Sequence, residues 1–220
     1  MSELIGVYGG TFDPIHLGHL RPALDVVEAF DLEKCHFIPC SIPHHRMQPS
    51  ANAEQRFDMV AAAIALEPRF IMDSRELNRD GISYTIDTVE SIRNEAKKNQ
   101  ILCLIIGIDA FMKFDQWHRW SDILNFCHVI VTHRPGWNVE KILDSTDLSL
   151  ELRNVISRCK VSNGIELKNS DYGKIIFQLV TQLDISATKI RRMLAENKSI
   201  RYLLPDEVIT VIKNQNIYVK

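Results

Sequence analysis

The 220-residue chain has no CxxC pair, no membrane-length apolar run, no surplus of either charge sign and no GxGxxG fingerprint. Its five cysteines, at 35, 40, 103, 127 and 159, are odd in number, and a chain of this size does not need stapling. A disulfide framework is therefore excluded and a reducing compartment expected. The longest apolar run, Ile101 to Ile106 continued by Gly107 and Ile108, falls far short of the about 20 residues of a membrane span. The opening MSELIG has an acid at position 3 and no basic stretch before an apolar core. A signal peptide is not expected, and a cytoplasmic location is. Lys and Arg number 26 against 28 Asp and Glu, a net charge of −2. That balance argues against duplex DNA or an anionic membrane as partner. Any bound anion must be held by local groups. Gly6, Gly9 and Gly10 have the wrong spacing for the dinucleotide-binding fingerprint.

What is present is an ordinary globular composition, 45% hydrophobic and 25% charged, enough for one domain over 1–220 with its own core. Leu4 to Tyr8 and His36 to Pro39 read as buried strands, with Leu20, Leu24 and Val27 marking an amphipathic helix between them that ends near Phe30. Gln55 to Leu66 reads as a helix stopped by Pro68, and Phe70 to Met72 as a strand. Thr85 reads as the N-cap of a helix carrying Ile86, Val89 and Ile92. Ile101–Ile106 and Val129–Val131 are apolar on both faces, as in the middle of a parallel sheet. Ile175–Val180 reads as one more strand, and 186–194 and 205–212 as helices. The alternation predicts an α/β fold with a doubly wound, mostly parallel sheet and a small C-terminal helical part over 185–220. Residues 138–173 are polar and read as a variable limb.

In such a sheet ligands lie beyond the C-terminal strand ends, and the informative motifs follow strands. After the first comes Gly9-Gly10-Thr11-Phe12-Asp13-Pro14-Ile15-His16-Leu17-Gly18-His19. The two glycines let backbone approach a ligand closely. The helix that follows turns free N–H groups outward, and His16 and His19 share its first turn. Two imidazoles there suit phosphate, since each donates a hydrogen bond and becomes cationic as charge develops. Near the other end, Ile185-Ser186-Ala187-Thr188-Lys189-Ile190-Arg191-Arg192 sets an N-cap serine, hydroxyls and cations at a second helix start. Alone it reads equally well as a capped, solvated basic helix.

The first string resembles the HxGH signature of the nucleotidyltransferase superfamily, and the second its ISxTxIR motif, matched at Ser186, Thr188, Ile190 and Arg191. Together they make the whole chain resemble bacterial nicotinate-nucleotide adenylyltransferases. The resemblance implies a Rossmann-like nucleotidyltransferase fold, with His16 and His19 catalytic. It implies an ATP site from Gly9, Gly10, Thr11, Phe12, Gly107, Asp109, Ser186, Thr188, Ile190 and Arg191.

For the second substrate it points to four segments. Backbone N–H groups near Tyr84 and Thr85, with Thr88 nearby, would receive a nicotinate carboxylate, because a helix start favours an anion over a carboxamide. Asp109, in a GxDxF segment, either meets ribose hydroxyls or caps the next short helix, or both. Trp117 is favoured over Trp120 for stacking on a cationic pyridine ring, although two tryptophans three apart more often share a core face. His45, Arg46 and Arg134 would meet substrate phosphates; His44 stands where the family commonly has proline. A zinc site from Cys35, Cys40, His44 and His45 is disfavoured, since cysteines five apart on a strand face opposite ways about 16 Å apart.

The reaction implied is ATP plus nicotinate mononucleotide giving deamido-NAD and pyrophosphate, by direct in-line attack with no covalent intermediate. Magnesium would arrive with ATP; no prosthetic group, nucleic acid or membrane partner is expected. Two rival readings are a phosphopantetheine-type transferase, whose chains are usually shorter and lack the Ser83–Thr88 segment and paired tryptophans, and a non-catalytic nucleotide sensor or RNA-binding module, disfavoured by the intact histidine pair and the lack of a basic excess. An aminoacyl-tRNA synthetase is set aside because no KMSKS-like loop is present.

Overall fold

The computed structural model describes residues 2–43, 48–79, 81–133, 148–181 and 183–218. Its main sheet contains β1 (Glu3–Gly10), β2 (Lys34–Pro39), β4 (Phe70–Met72), β6 (Gln100–Gly107), β7 (His128–His133) and β8 (Ile175–Leu179). They lie in the order β4-β2-β1-β6-β7-β8, and every adjacent pair is parallel. Winding runs outward one way from β1 and the other way from β6, so the crevice that receives ligands in this topology opens where β1 and β6 end.

Helices cover both faces. α1 (Leu17–Phe30), α2 (Ala53–Ile64), α7 (Ala187–Ala195) and α8 (Asp206–Asn214) bury Val26, Met59, Ile190 and Val208 in one core. α3 (Thr85–Glu95), α4 (Ile108–Phe111), α5 (Trp120–Ile123) and α6 (Leu150–Cys159) bury Val89, Phe111, Trp120 and Ile156 in the other. This explains the unbroken apolar run of β6: Ile101, Cys103 and Ile105 face the first core, while Leu102, Leu104 and Ile106 face the second. No described helix is long and apolar enough to cross a membrane.

Two local expectations change. The N-cap of α3 is Tyr84, in extended backbone (φ −101°, ψ 134°), and Thr85 is the first helical residue. α2 begins before Gln55, because Asn52 and Gln55 form a reciprocal cap with bonds of 2.8 and 3.0 Å.

The stretch read as a variable limb is, over its described part 148–173, built into the fold. It belongs to the β7-to-β8 crossover that parallel pairing requires. Leu148, Leu152 and Ile156 enter one core and Val161 and Leu167 the other. Buried His128 pins it: Nδ1 accepts from the Lys174 N–H, and Nε2 faces the carbonyls of Leu167 and Ser170, all at 3.0 Å.

A second, two-residue sheet pairs β3 (Ile42–Pro43) with β5 (Ile82–Ser83). It links the segment leaving β2 to the segment entering α3.

Candidate active site

At the end of β1 the two glycines do different work. Among the described residues, a Cβ on exposed Gly9 would meet only the Ile38 carbonyl, at 3.9 Å. A Cβ on Gly10 would lie 2.8 Å from the Phe12 ring. Gly10 therefore makes room for packing inside the turn. Phe12, at φ 49°, buries its ring edge-on against Tyr8 and His19. Only its backbone remains available to a ligand.

His16 is the N-cap of α1. Its backbone N–H donates to His19 Nδ1 at 3.3 Å, so neutral His19 carries its proton on Nε2. The rings stack with centroids 3.8 Å apart and an interplanar angle of 26°. His16 is 4% exposed, and among the described residues its Nδ1 has no hydrogen-bond partner. Burial lowers its pKa to about 4, so the ring is neutral near pH 7. His19 is half-buried beside it. Gly18 is what lets the pair seat: a Cβ there would stand 3.0 Å from His16 Nδ1 and 3.3 Å from the Ile185 carbonyl.

That carbonyl opens the C-terminal motif, so the two ends of the chain meet here. Ser186 caps α7 by accepting from the Lys189 N–H at 3.3 Å. Arg191 donates to the Asp13 carbonyl, lies 3.4 Å from Asp13 Oδ2 and reaches Thr188 Oγ1 at 3.5 Å. Ser186 and Thr188 are exposed, whereas Ile190 is fully buried and its N–H donates to the Ser186 carbonyl. Ile190 thus anchors the helix.

Three residues outside the expected site set hold this cradle: Asp13, Arg56 and Tyr218. The Asp13 carboxylate accepts from the N–H groups of Ser50 (2.8 Å) and Ala51 (3.0 Å) and from the Tyr218 hydroxyl (2.7 Å). Arg56 is fully buried and donates to the carbonyls of Thr11 and Ser41, both at 3.1 Å, and of Cys40 and Ala51. The one signal pointing to Asp13 was its place before a proline in a strand-to-helix turn.

The pyridine-side candidates gather at the same end of the sheet. β3 follows β2 directly and pairs with β5, which delivers Tyr84 and the start of α3. The Tyr84 and His118 rings lie 4.3 Å apart. Trp117 is half-buried and Trp120 is 9% exposed, both edge-on to Phe114. Trp120 is a core residue. The buried Thr88 hydroxyl donates to Glu76 at 2.6 Å, so Thr88 braces α3 from beneath. Burial pushes the Glu76 pKa up; this carboxylate, too, was unremarked in the sequence. Gly107 and Asp109 are exposed where β6 runs into α4, and no described residue lies within 4 Å of a Cβ placed on Gly107. His45, Arg46 and Arg134 lie outside the described residues. Among the described residues, no cluster of three or more His, Cys, Asp or Glu side chains is arranged to hold a metal ion.

Comparison with known proteins agrees with this geometry. The cytidylyltransferase-like family model matches residues 7–193. A Methylococcus capsulatus protein named "Probable nicotinate-nucleotide adenylyltransferase" is 42% identical over 218 residues, covering 99% of this chain and 100% of its own. A Halorhodospira halophila protein of the same name is 46% identical over 204 residues, covering 93% and 90%. The fold resembles that of the Plasmodium falciparum nicotinic acid mononucleotide adenylyltransferase complexed with NaAD, with a TM-score of 0.68, 16% identity and coverage of 98% and 97%. The chain is a member of the cytidylyltransferase-like family and, within it, belongs with the nicotinate-nucleotide adenylyltransferases.

Proposed function

We propose that the protein transfers the adenylyl group of ATP to nicotinate mononucleotide by direct attack, releasing pyrophosphate and forming deamido-NAD. A phosphate oxygen of the mononucleotide forms a bond to the α-phosphorus as the bond to the bridging oxygen breaks, and pyrophosphate carries that electron pair away. The acceptor is already a competent nucleophile, so no covalent enzyme intermediate is required. The task left to the protein is positioning and charge stabilisation.

Its groups suit that task. The Nε2–H of His19 and the buried imidazole of His16 face developing charge at a helix N-terminus, where the dipole already favours an anion. Arg191, Ser186 and Thr188 hold the outgoing phosphates, with magnesium accompanying ATP as part of that substrate. The first-turn N–H groups of α3, at Tyr84 and Thr85, receive the nicotinate carboxylate, and Trp117 stacks on the pyridine ring. Asp109 accepts from ribose hydroxyls. His45, Arg46 and Arg134 complete the phosphate contacts, a role that rests on the resemblance.

The observation that carries this reading is the junction of the two motifs. Arg191, from the far end of the chain, is fixed on Asp13 three residues before the histidine pair. Names shared by full-length relatives support the choice of acceptor. The test is pyrophosphate release from ATP with four acceptors: nicotinate mononucleotide, nicotinamide mononucleotide, phosphopantetheine and glycerol phosphate. Turnover is expected with the first and at least tenfold less with the second. Comparable kcat/KM for the two mononucleotides, or preference for another acceptor, overturns it.

A further inference from the structure

Arg56 is the largest fully buried side chain among the described residues, at 1% exposure. Its guanidinium is spread over backbone carbonyls of three segments. Nη1 bridges Thr11 and Cys40, Nη2 reaches Ser41 and Nε reaches Ala51 at the start of α2. A planar fork of five N–H donors bonds several acceptors at fixed mutual positions, which an ammonium on a flexible stem does not.

The three segments belong to different halves of the site. Thr11 lies in the turn after β1 that leads to the histidine pair. Ser41 lies in the segment leaving β2, and its N–H donates to Ser83 Oγ at 3.1 Å. Ser83 is paired through β5 to β3 and directly precedes Tyr84, the cap of α3. An unbroken line of hydrogen bonds therefore runs from the ATP turn, through Arg56 and Ser41, to the end of the site assigned to the nicotinate carboxylate.

We propose that Arg56 is a positioning residue that sets the distance between the two nucleotide subsites. It touches no substrate. It holds the backbone on which each subsite is built, so its contribution appears when both substrates must meet at reacting distance. This rests on the proposed function, because that reading places ATP and the mononucleotide on either side of the Arg56 clasp. Misplacement by about 1 Å costs a transfer reaction on the order of 10²-fold, while leaving each substrate its own contacts.

The test compares Arg56→Lys with wild type on the full chain. Dissociation constants for ATP and for nicotinate mononucleotide are measured separately by calorimetry, kcat by pyrophosphate release, and amide exchange at Ser41 by NMR. Each dissociation constant is expected to stay within threefold, kcat to fall at least 10²-fold, and Ser41 to exchange at least tenfold faster while the β6 amides keep their protection. A kcat within threefold of wild type overturns the inference. So does a loss of both affinities in step with kcat, the mark of simple destabilisation. If Arg56→Lys does not fold, Ser83→Ala carries the test by removing only the last link. It should lower kcat about tenfold with both affinities kept, and unchanged kcat overturns the inference. Wild-type enzyme that ignores nicotinate mononucleotide would fell the functional reading instead. The clasp is then judged by Ser41 exchange and by kcat with the acceptor that is used, and an unchanged Ser41 rate counts against it.

Discussion

Arg191 is bonded to the backbone carbonyl of Asp13, 178 positions earlier in the chain, and the same aspartate takes the hydroxyl of Tyr218 at 2.7 Å. The turn after β1 is thus tied both to α7 and to the stretch that follows α8. Arg191→Ala should lower kcat/KM for ATP by at least 10²-fold, as expected for losing a charge-assisted phosphate contact. Asp13→Ala leaves the N–H groups of Ser50 and Ala51 without their acceptor and should destabilise the fold by roughly 2–4 kcal/mol. Steady-state kinetics and urea denaturation read the two effects separately.

His19 reaches the site from a surface turn, half-buried, so its removal leaves little void. His19→Ala should reduce kcat at least 10²-fold with a melting temperature within a few degrees of wild type. Gly18→Ala should also lose activity while folding, because the added methyl stands 3.0 Å from His16 Nδ1. Full activity in either purified variant contradicts the role given to the pair.

The His16 imidazole has a pKa of about 4 in the native state against an ordinary value of 6.5, because it is buried. Between pH 6.5 and 4 the unfolded chain therefore binds a proton that the native chain refuses. The native state loses stability as pH falls through that window and levels off below it. A bound polyphosphate pulls the other way and raises the imidazole pKa. ATP binding at pH 6 should accordingly take up part of a proton, measured by calorimetry in buffers of different ionisation enthalpy. His16→Asn should abolish that uptake.

Thr85 is the first residue of α3 and follows an extended Tyr84. Proline is tolerated there, since the first helical position needs no N–H within the helix and the residue before it is already extended. Thr85→Pro deletes one proposed carboxylate donor while keeping the helix. The preference for nicotinate over nicotinamide mononucleotide, read as a ratio of kcat/KM, should drop by about tenfold. An unchanged ratio moves the carboxylate elsewhere.

The two tryptophans should separate cleanly. Trp120 is 9% exposed and packed on Phe114, so Trp120→Ala should cost about 3–5 kcal/mol of stability. Trp117→Ala should instead raise KM for the mononucleotide several-fold, with KM for ATP little changed.

Much of this fold is legible in the amino-acid sequence. The two-faced apolar run of β6, the Ser186 cap and the helix start at the histidine pair are local patterns, and local patterns survive into the fold. What escaped was non-local or too short for periodicity to register. β3 and β5 are two residues each. Arg56 lies between Gln55 and Phe57 in a helix and reads as a solvated charge until backbone carbonyls from three segments are seen to surround it. Tyr218 meets Asp13 across 205 positions. Gly10 also makes room for a phenylalanine two residues on, a packing contact that the motif does not announce. Tyr84 rather than Thr85 caps α3, because an extended backbone can end a helix without any side-chain bond.

The most direct measurement is a crystal structure with an ATP analogue whose α–β bridging oxygen is replaced by methylene. The expected result is α-phosphate oxygens within about 3 Å of the His16 and His19 rings and the β- and γ-phosphates on Arg191, Ser186 and Thr188. A triphosphate lying away from the histidine pair, or an Arg191 that stays on Asp13 beyond reach of any phosphate, contradicts it.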